Sequence, residues 1–175
     1  MEKYRVDPII TQETVESRIK ELGNQISADY AGKDIVMIGI LNGAVVFYGE
    51  LAKSIVPSVR MDFMRVSSYG ASTATSGNIM IIKDAETDIA GRDVLIVEDI
   101  VDTGLTLTTL KRMLGARKPA SLKICCLLDK PSRRKVDIKA DYVGFQIPDR
   151  FVVGYGLDYN EKFRNLPFIG ELKAD

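Results

Sequence analysis

"VLIVEDIVDTGLTL", residues 94–107, sets four apolar residues directly before two acids, Glu98 and Asp99, with a third, Asp102, three places on. The apolar run predicts a buried strand over 94–97. Leu107, Leu110, Met113 and Leu114 share one face of a helix predicted over 104–115. Carboxylates closing a buried strand either cap the next helix or form the working edge of a site. Gly104 permits a tight turn, the amides of a helix start lack intrahelical partners, and Thr103 and Thr106 add hydroxyls. Such a turn can cradle a phosphate. Acids beside it would repel that anion, unless a magnesium ion lies between acid and phosphate oxygens or an acid faces another part of the substrate and takes a proton. The plainer alternative is that Asp102 caps helix 104–115 while Glu98 and Asp99 solvate the turn.

Outward from this stretch, strands and helices alternate. Val15, Ile19, Leu22, Ile26 and Tyr30 mark an amphipathic helix over 11–30, with Gly23 weakening its middle. "DIVMIGIL" (34–41) is a strand covered on both faces, and Asn42-Gly43 turns it into a helix over 44–55. Strands are predicted at 59–66, 78–83, 121–128 and 141–147, with a short extended piece at 151–156 before a polar tail. "SSYGASTATSG" (67–77) has no apolar period and is expected to be a mobile loop. The alternation implies an α/β fold with a mostly parallel sheet, and such sheets bind ligands beyond the carboxyl ends of their strands. Three of those ends are polar here: Leu41-Asn42-Gly43, Glu98-Asp99 and Asp129-Lys130.

The chain has 175 residues, which suits one domain. Its 24 basic and 24 acidic residues cancel, so no net field draws it to nucleic acid or an anionic membrane. It has no histidine, which removes imidazole acid–base chemistry and most zinc sites. Cys125 and Cys126 are adjacent in an apolar run, so on a strand they point to opposite faces and do not pair. Nothing at the N-terminus reads as a signal peptide and no apolar run reaches membrane-spanning length, so a cytoplasmic protein is expected.

"VLIVEDIVDTGLTL" resembles the phosphoribosyl-pyrophosphate signature of the type I phosphoribosyltransferases: two acids closing a strand, then D-T-G-x-T. "GILNGAVVFYGEL" (39–51), "SSYG" (67–70), "LLDK" (127–130) and "DYVGFQIPDRFVVGYGLDYNEKFRNLP" (141–167), in that order, are similar to the hypoxanthine-guanine members of that family. The resemblance covers nearly the whole chain. It implies the type I fold, with a small hood built from the N- and C-terminal segments, and transfer of phosphoribosyl to a 6-oxopurine with release of pyrophosphate.

Carried over by position, the resemblance puts Glu98 and Asp99 near the ribose hydroxyls, directly or through magnesium-bound water. Asp102 sits beside purine N7 as proton acceptor, and the 5′-phosphate lies in the turn Asp102, Thr103, Gly104, Leu105 and Thr106. Lys130 faces the exocyclic O6, Phe151 stacks on the ring, and the backbone of Val152 reads the Watson–Crick edge. Asp158 joins Glu98 and Asp99 as a magnesium ligand, and Arg164 contacts pyrophosphate. Ser68 and Tyr69 close over the reaction centre. Leu41, Asn42 and Gly43 form a pyrophosphate loop with a cis peptide. Many relatives carry lysine where this chain has Asn42, so only the backbone of residues 42 and 43 is expected to bind there. The family also implies a homodimer or homotetramer.

Two other functions compete. A regulator that keeps the phosphoribosyl-pyrophosphate pocket but binds nucleic acid would need an added domain or a basic face, and the chain offers neither spare length nor net charge. An adenine or pyrimidine enzyme would share residues 94–107 but not the match at 141–167.

Overall fold

The computed structural model describes residues 4–68 and 79–174. Its centre is β5 (Asp93–Val101), which lies between β2 (Ile35–Leu41) and β6 (Ser121–Asp129), parallel to both. The full sheet runs β4-β3-β2-β5-β6-β7, with β3 at Val59–Ser68, β4 at Ile79–Lys83 and β7 at Tyr142–Gln146. Only β4 is antiparallel to its neighbour. Successive side chains on β2 and β5 go to opposite faces, which divides the interior in two. Ile35, Met37, Leu95 and Val97 pack under α1 (Gln12–Asp29) and α2 (Val45–Ser54). Val36, Ile38, Val94 and Ile96 pack under α3 (Leu105–Gly115). β2 and the Val94–Val97 part of β5 are apolar without a break because both faces are covered there. Cys125 belongs to the first core and Cys126 to the second, and both are free thiols.

A second sheet of three strands, β1-β9-β8, joins the two ends of the chain: β1 (Tyr4–Ile10) pairs antiparallel with β9 (Ile169–Ala174), which pairs with β8 (Val152–Val153). This is the expected hood. β8 immediately follows Phe151, so the hood carries part of the site. No described helix is long and apolar enough to cross a membrane.

Several elements differ from the sequence reading, which has no strand at β1 and a longer extended piece than β8. β5 continues to Val101, so Glu98 and Asp99 lie within the strand, held by pairing of Glu98 with Cys126 and Ile100 with Leu128. β3 continues through Ser68, where Ser67 and Ser68 pair with Met80 and Ile79. The rest of the expected loop, from Tyr69 on, lies outside the described residues. The polar tail after Pro167 ends as β9, a strand held between β8 and the distant β1, with Tyr4 opposite Ala174, pairings that leave no local mark.

Candidate active site

The chain leaves β5 at Val101 and enters α3 at Leu105 through Asp102, Thr103 and Gly104. Gly104 has φ of 82°, and a Cβ there would sit 2.6 Å from Ile138 Cγ2 and 3.0 Å from Arg134 Cδ, so the turn admits only glycine. Gly104 is also the N-cap of α3, and no side chain caps the helix. Asp102 is therefore not its cap. Its carboxylate instead accepts a bond from Arg133 Nε at 3.1 Å. The first amides of α3 lack intrahelical acceptors; Leu105 N–H has one long contact, 3.4 Å, to Thr103 Oγ1. A pocket of about 110 Å³ opens at this turn, walled by Glu98, Asp102, Thr103, Gly104 and Thr106. Ile100, Val101 and Leu107 complete its wall; it is small and faces the start of α3, which suits a single phosphate group.

Beside it lies a larger cavity of about 460 Å³, within the range of small-molecule sites. Asp99, Asp102, Lys130, Phe151, Val152 and Asp158 all line it. Lys130 immediately follows β6 and is 93% buried, its backbone N–H bound to Val101 O at 2.9 Å. Phe151 is 54% exposed, an aromatic face open to the cavity. It is braced edge-on by Tyr159 at 5.7 Å between ring centres, and Tyr159 in turn meets Tyr4 of β1, ring to ring at 5.0 Å and hydroxyl to hydroxyl at 3.1 Å. Tyr4 and Arg133 lie outside the matched stretches, and Tyr159 lies inside one, 141–167, with no role assigned to it. Their roles follow from contacts across the chain.

Electrostatically the floor of the site is under stress. Burial, and next to it the charge of Asp99, pushes the Glu98 carboxyl well above its usual range. Burial also raises Asp99 to about 6, against the bonds it accepts from backbone amides, including Ile100 N–H at 2.7 Å. Asp99 thus holds its proton in the fold at pH values where the unfolded chain, at 3.8, has released it. Rising pH through that window therefore costs stability. Asp99→Asn, which fixes the neutral form, is expected to unfold at a higher temperature than wild type above pH about 6, with the difference vanishing near pH 4. Thermal scans of the ligand-free protein across that range check this; a difference independent of pH would contradict it.

The turn after β2 completes the enclosure. The Leu41–Asn42 peptide is cis. The Asp99 carboxylate fills the space that a side chain at Gly43 would need, and the Gly43 carbonyl backs onto Gly156. Asn42 is exposed, with Leu41 and Gly43 partly buried. Asp158 Oδ1 pairs with Arg164 Nη2 at 2.9 Å, while Arg164 Nη1 donates to Gly156 O at 2.8 Å and Nη2 also contacts Glu161. Arg164 thus meets three oxygen acceptors of its own loop, and an anion arriving there competes with Asp158 and Glu161. Ser68 ends β3, and Tyr69 lies outside the described residues. Among the described residues, no three acidic or thiol side chains converge on one point as a ready-made cation cage. Glu98, Asp99 and Asp158 nonetheless suit a magnesium ion that takes its remaining ligands from water and a bound phosphate, the usual arrangement for that ion.

Known proteins resemble this chain over nearly its whole length. Residues 6–160 match the family model described as "Phosphoribosyl transferase domain". The chain is 52% identical over 174 residues to the hypoxanthine-guanine phosphoribosyltransferase of Bacillus subtilis, covering 99% of this chain and 97% of that one. It is 46% identical over 172 residues to the hypoxanthine phosphoribosyltransferase of Salmonella typhimurium, covering 97% of each. A crystal structure of a hypoxanthine-guanine phosphoribosyltransferase from Bacillus anthracis superposes with a TM-score of 0.93 at 47% identity, over 98% of this chain and 99% of that one.

Proposed function

The chain belongs to the phosphoribosyl transferase family, and from that premise we propose that it transfers phosphoribosyl from phosphoribosyl pyrophosphate to hypoxanthine or guanine, giving IMP or GMP and pyrophosphate. One observation carries the reading: Asp102 lies on the wall shared by the phosphate-sized pocket and the larger cavity. A group there can reach a base while the main chain on either side grips the phosphate of the same nucleotide.

The 5′-phosphate occupies the small pocket against the amides of residues 102–106 and the hydroxyls of Thr103 and Thr106. The purine enters the larger cavity, stacked on Phe151, with the Lys130 ammonium at O6. The backbone of Val152 meets the Watson–Crick edge. Hypoxanthine and guanine share an N1–H and an O6 acceptor. Adenine has neither, and it would leave the buried Lys130 without an acceptor. As N9 attacks the anomeric carbon, the bond to pyrophosphate breaks and its electron pair leaves with that group. The purine then sheds the N7 proton to the Asp102 carboxylate. Lys130 stabilises electron density that moves onto the base. Glu98 and Asp99 face the ribose hydroxyls. The backbone of Asn42 and Gly43 faces the departing pyrophosphate, with Asp158 and Arg164 beyond it; Asn42 brings no charge to it. Ser68 and Tyr69 belong, on this reading, to the segment that keeps water out. Glu98, Asp99 and Asp158 would hold a magnesium ion, which would supply charge neutralisation for the phosphates.

Pyrophosphate release measured with hypoxanthine, guanine, xanthine, adenine and uracil tests the proposal. Hypoxanthine and guanine are expected to support turnover, and adenine to fall short of them by roughly 10⁴-fold or more, the scale set when a buried polar group loses its partner. Equal rates with adenine or uracil would overturn the purine assignment. A homodimer or homotetramer in a cytoplasmic setting completes the proposal, and neither nucleic acid nor membrane has a part in it.

A further inference from the structure

Three successive carbonyls of the phosphate turn are all bound from one side. Lys130 N–H donates to Val101 O at 2.9 Å, Arg134 Nη1 to Asp102 O at 2.5 Å, and Lys135 N–H to Thr103 O at 3.0 Å. In a trans peptide plane the N–H points opposite to the C=O. Carbonyls turned toward residues 130–135 therefore send the amides of Asp102, Thr103 and Gly104 the other way. The 130–135 segment contributes nothing to the walls of the small pocket, which those three residues line. Two of the three bonds are main chain to main chain. The middle one, on the residue that carries the carboxylate at the cavity wall, depends on a side chain.

That side chain is fixed at its other end. Arg134 Nη2 pairs closely with the Asp129 carboxylate, and the two side chains are only 15% and 11% exposed. Asp129 stands directly opposite Val101 in the β5–β6 register. The Arg134 stem packs where a side chain at Gly104 would go. One planar fork thus spans from the end of β6 to the turn after β5, a geometry that a lysine's single ammonium cannot reproduce. We propose that Arg134 is a positioning residue for the transfer reaction. By holding the Asp102 carbonyl outward, it orients the Thr103 amide toward phosphate and the Asp102 carboxylate toward the purine. The inference rests on the proposed function and adds a residue that touches neither substrate.

The test compares wild type with Arg134→Met, Arg134→Lys, the double variant Asp129→Leu/Arg134→Met, and Arg117→Met, which removes a surface-paired arginine elsewhere. Unfolding temperature is read beside kcat and both KM values. Arg134→Met is expected to be unstable, because it leaves a buried Asp129 charge unpaired. The double variant removes both charges and is expected to regain the wild-type unfolding temperature. Its kcat should remain about 10²-fold down, the cost of an approximately 1 Å misplacement in a reacting site. Its KM for phosphoribosyl pyrophosphate should rise. Arg134→Lys should fold like wild type and show the same direction of kinetic loss. Arg117→Met should leave kcat unchanged. A folded double variant with wild-type kcat overturns the inference; if the double variant fails to fold, wild-type kcat in Arg134→Lys overturns it. A wild-type chain that makes no nucleotide overturns the proposed function, and the inference with it, whereas an active wild type with an unaffected variant overturns the inference alone.

Discussion

Asp102→Ala is expected to lower turnover about 10²–10⁴-fold, the contribution of a positioned proton acceptor, while phosphoribosyl pyrophosphate still binds. Two features of the fold separate these effects. The phosphate donors at this turn are main-chain amides, and alanine keeps them. Their orientation is set by the carbonyls of residues 101–103, which Lys130, Arg134 and Lys135 hold from outside, and none of those bonds uses the Asp102 carboxylate. Stability should also survive. The carboxylate is 41% exposed and, among the described residues, pairs with Arg133, itself 48% exposed, and such exposed pairs contribute roughly 0–1 kcal/mol. Arg133 also contacts Asp149 at 3.4 Å, so it keeps an acidic neighbour in the variant. Rates with guanine, set beside titration of phosphoribosyl pyrophosphate into the variant, check the separation. Full turnover in the alanine variant would remove Asp102 from the chemistry.

The main sheet was legible because its signal is local. Ile35 to Leu41 and Val94 to Val97 are apolar without interruption, as strands covered on both faces must be. The leucines of α3 repeat with helical period on the face that packs against β5 and β6. The hood strands carried no such mark. β1 contains Pro8 near a register shift and pairs with β9, while β9 ends in polar residues and is held between β1 and β8.

The same distinction holds in the site. Asp102, Lys130, Phe151 and Val152 were readable from motifs, and the fold brings them to one cavity. Arg134 was not readable: it sits in a run of basic residues that looks like a solvated surface, and only the tertiary contact with Asp129 buries it. Tyr159 and Tyr4 brace Phe151 through rings 155 positions apart, a relation no local pattern encodes. The sequence places Glu98 and Asp99 at the close of the strand and in the site; the structure moves only the boundary, with both inside β5, which runs on to Val101.

That setting leads to the second large effect. Glu98 and Asp99 are both held toward their neutral forms, Glu98 by burial and by Asp99, and Asp99 chiefly by burial. Two adjacent carboxyls in such a state favour any ligand that brings positive charge. Asp158, the third acid proposed for the ion, is paired with Arg164, and among the described residues no three acids converge on one point, so protein alone offers a poor cage. Magnesium binds readily through one or two carboxylates when substrate phosphates complete its octahedron. The ion and phosphoribosyl pyrophosphate should therefore bind cooperatively, each weakly without the other. Chelation with EDTA is expected to reduce turnover by about 10²–10³-fold, the equivalent of the several kcal/mol a bound cation contributes at developing charge. Added magnesium in excess should restore it. Asp99→Asn should raise the magnesium concentration needed for half-maximal rate without shifting the KM for guanine, because its carboxylate acts on the ribose and metal side. Undiminished turnover in EDTA would show that the two buried acids serve the ribose hydroxyls without a cation.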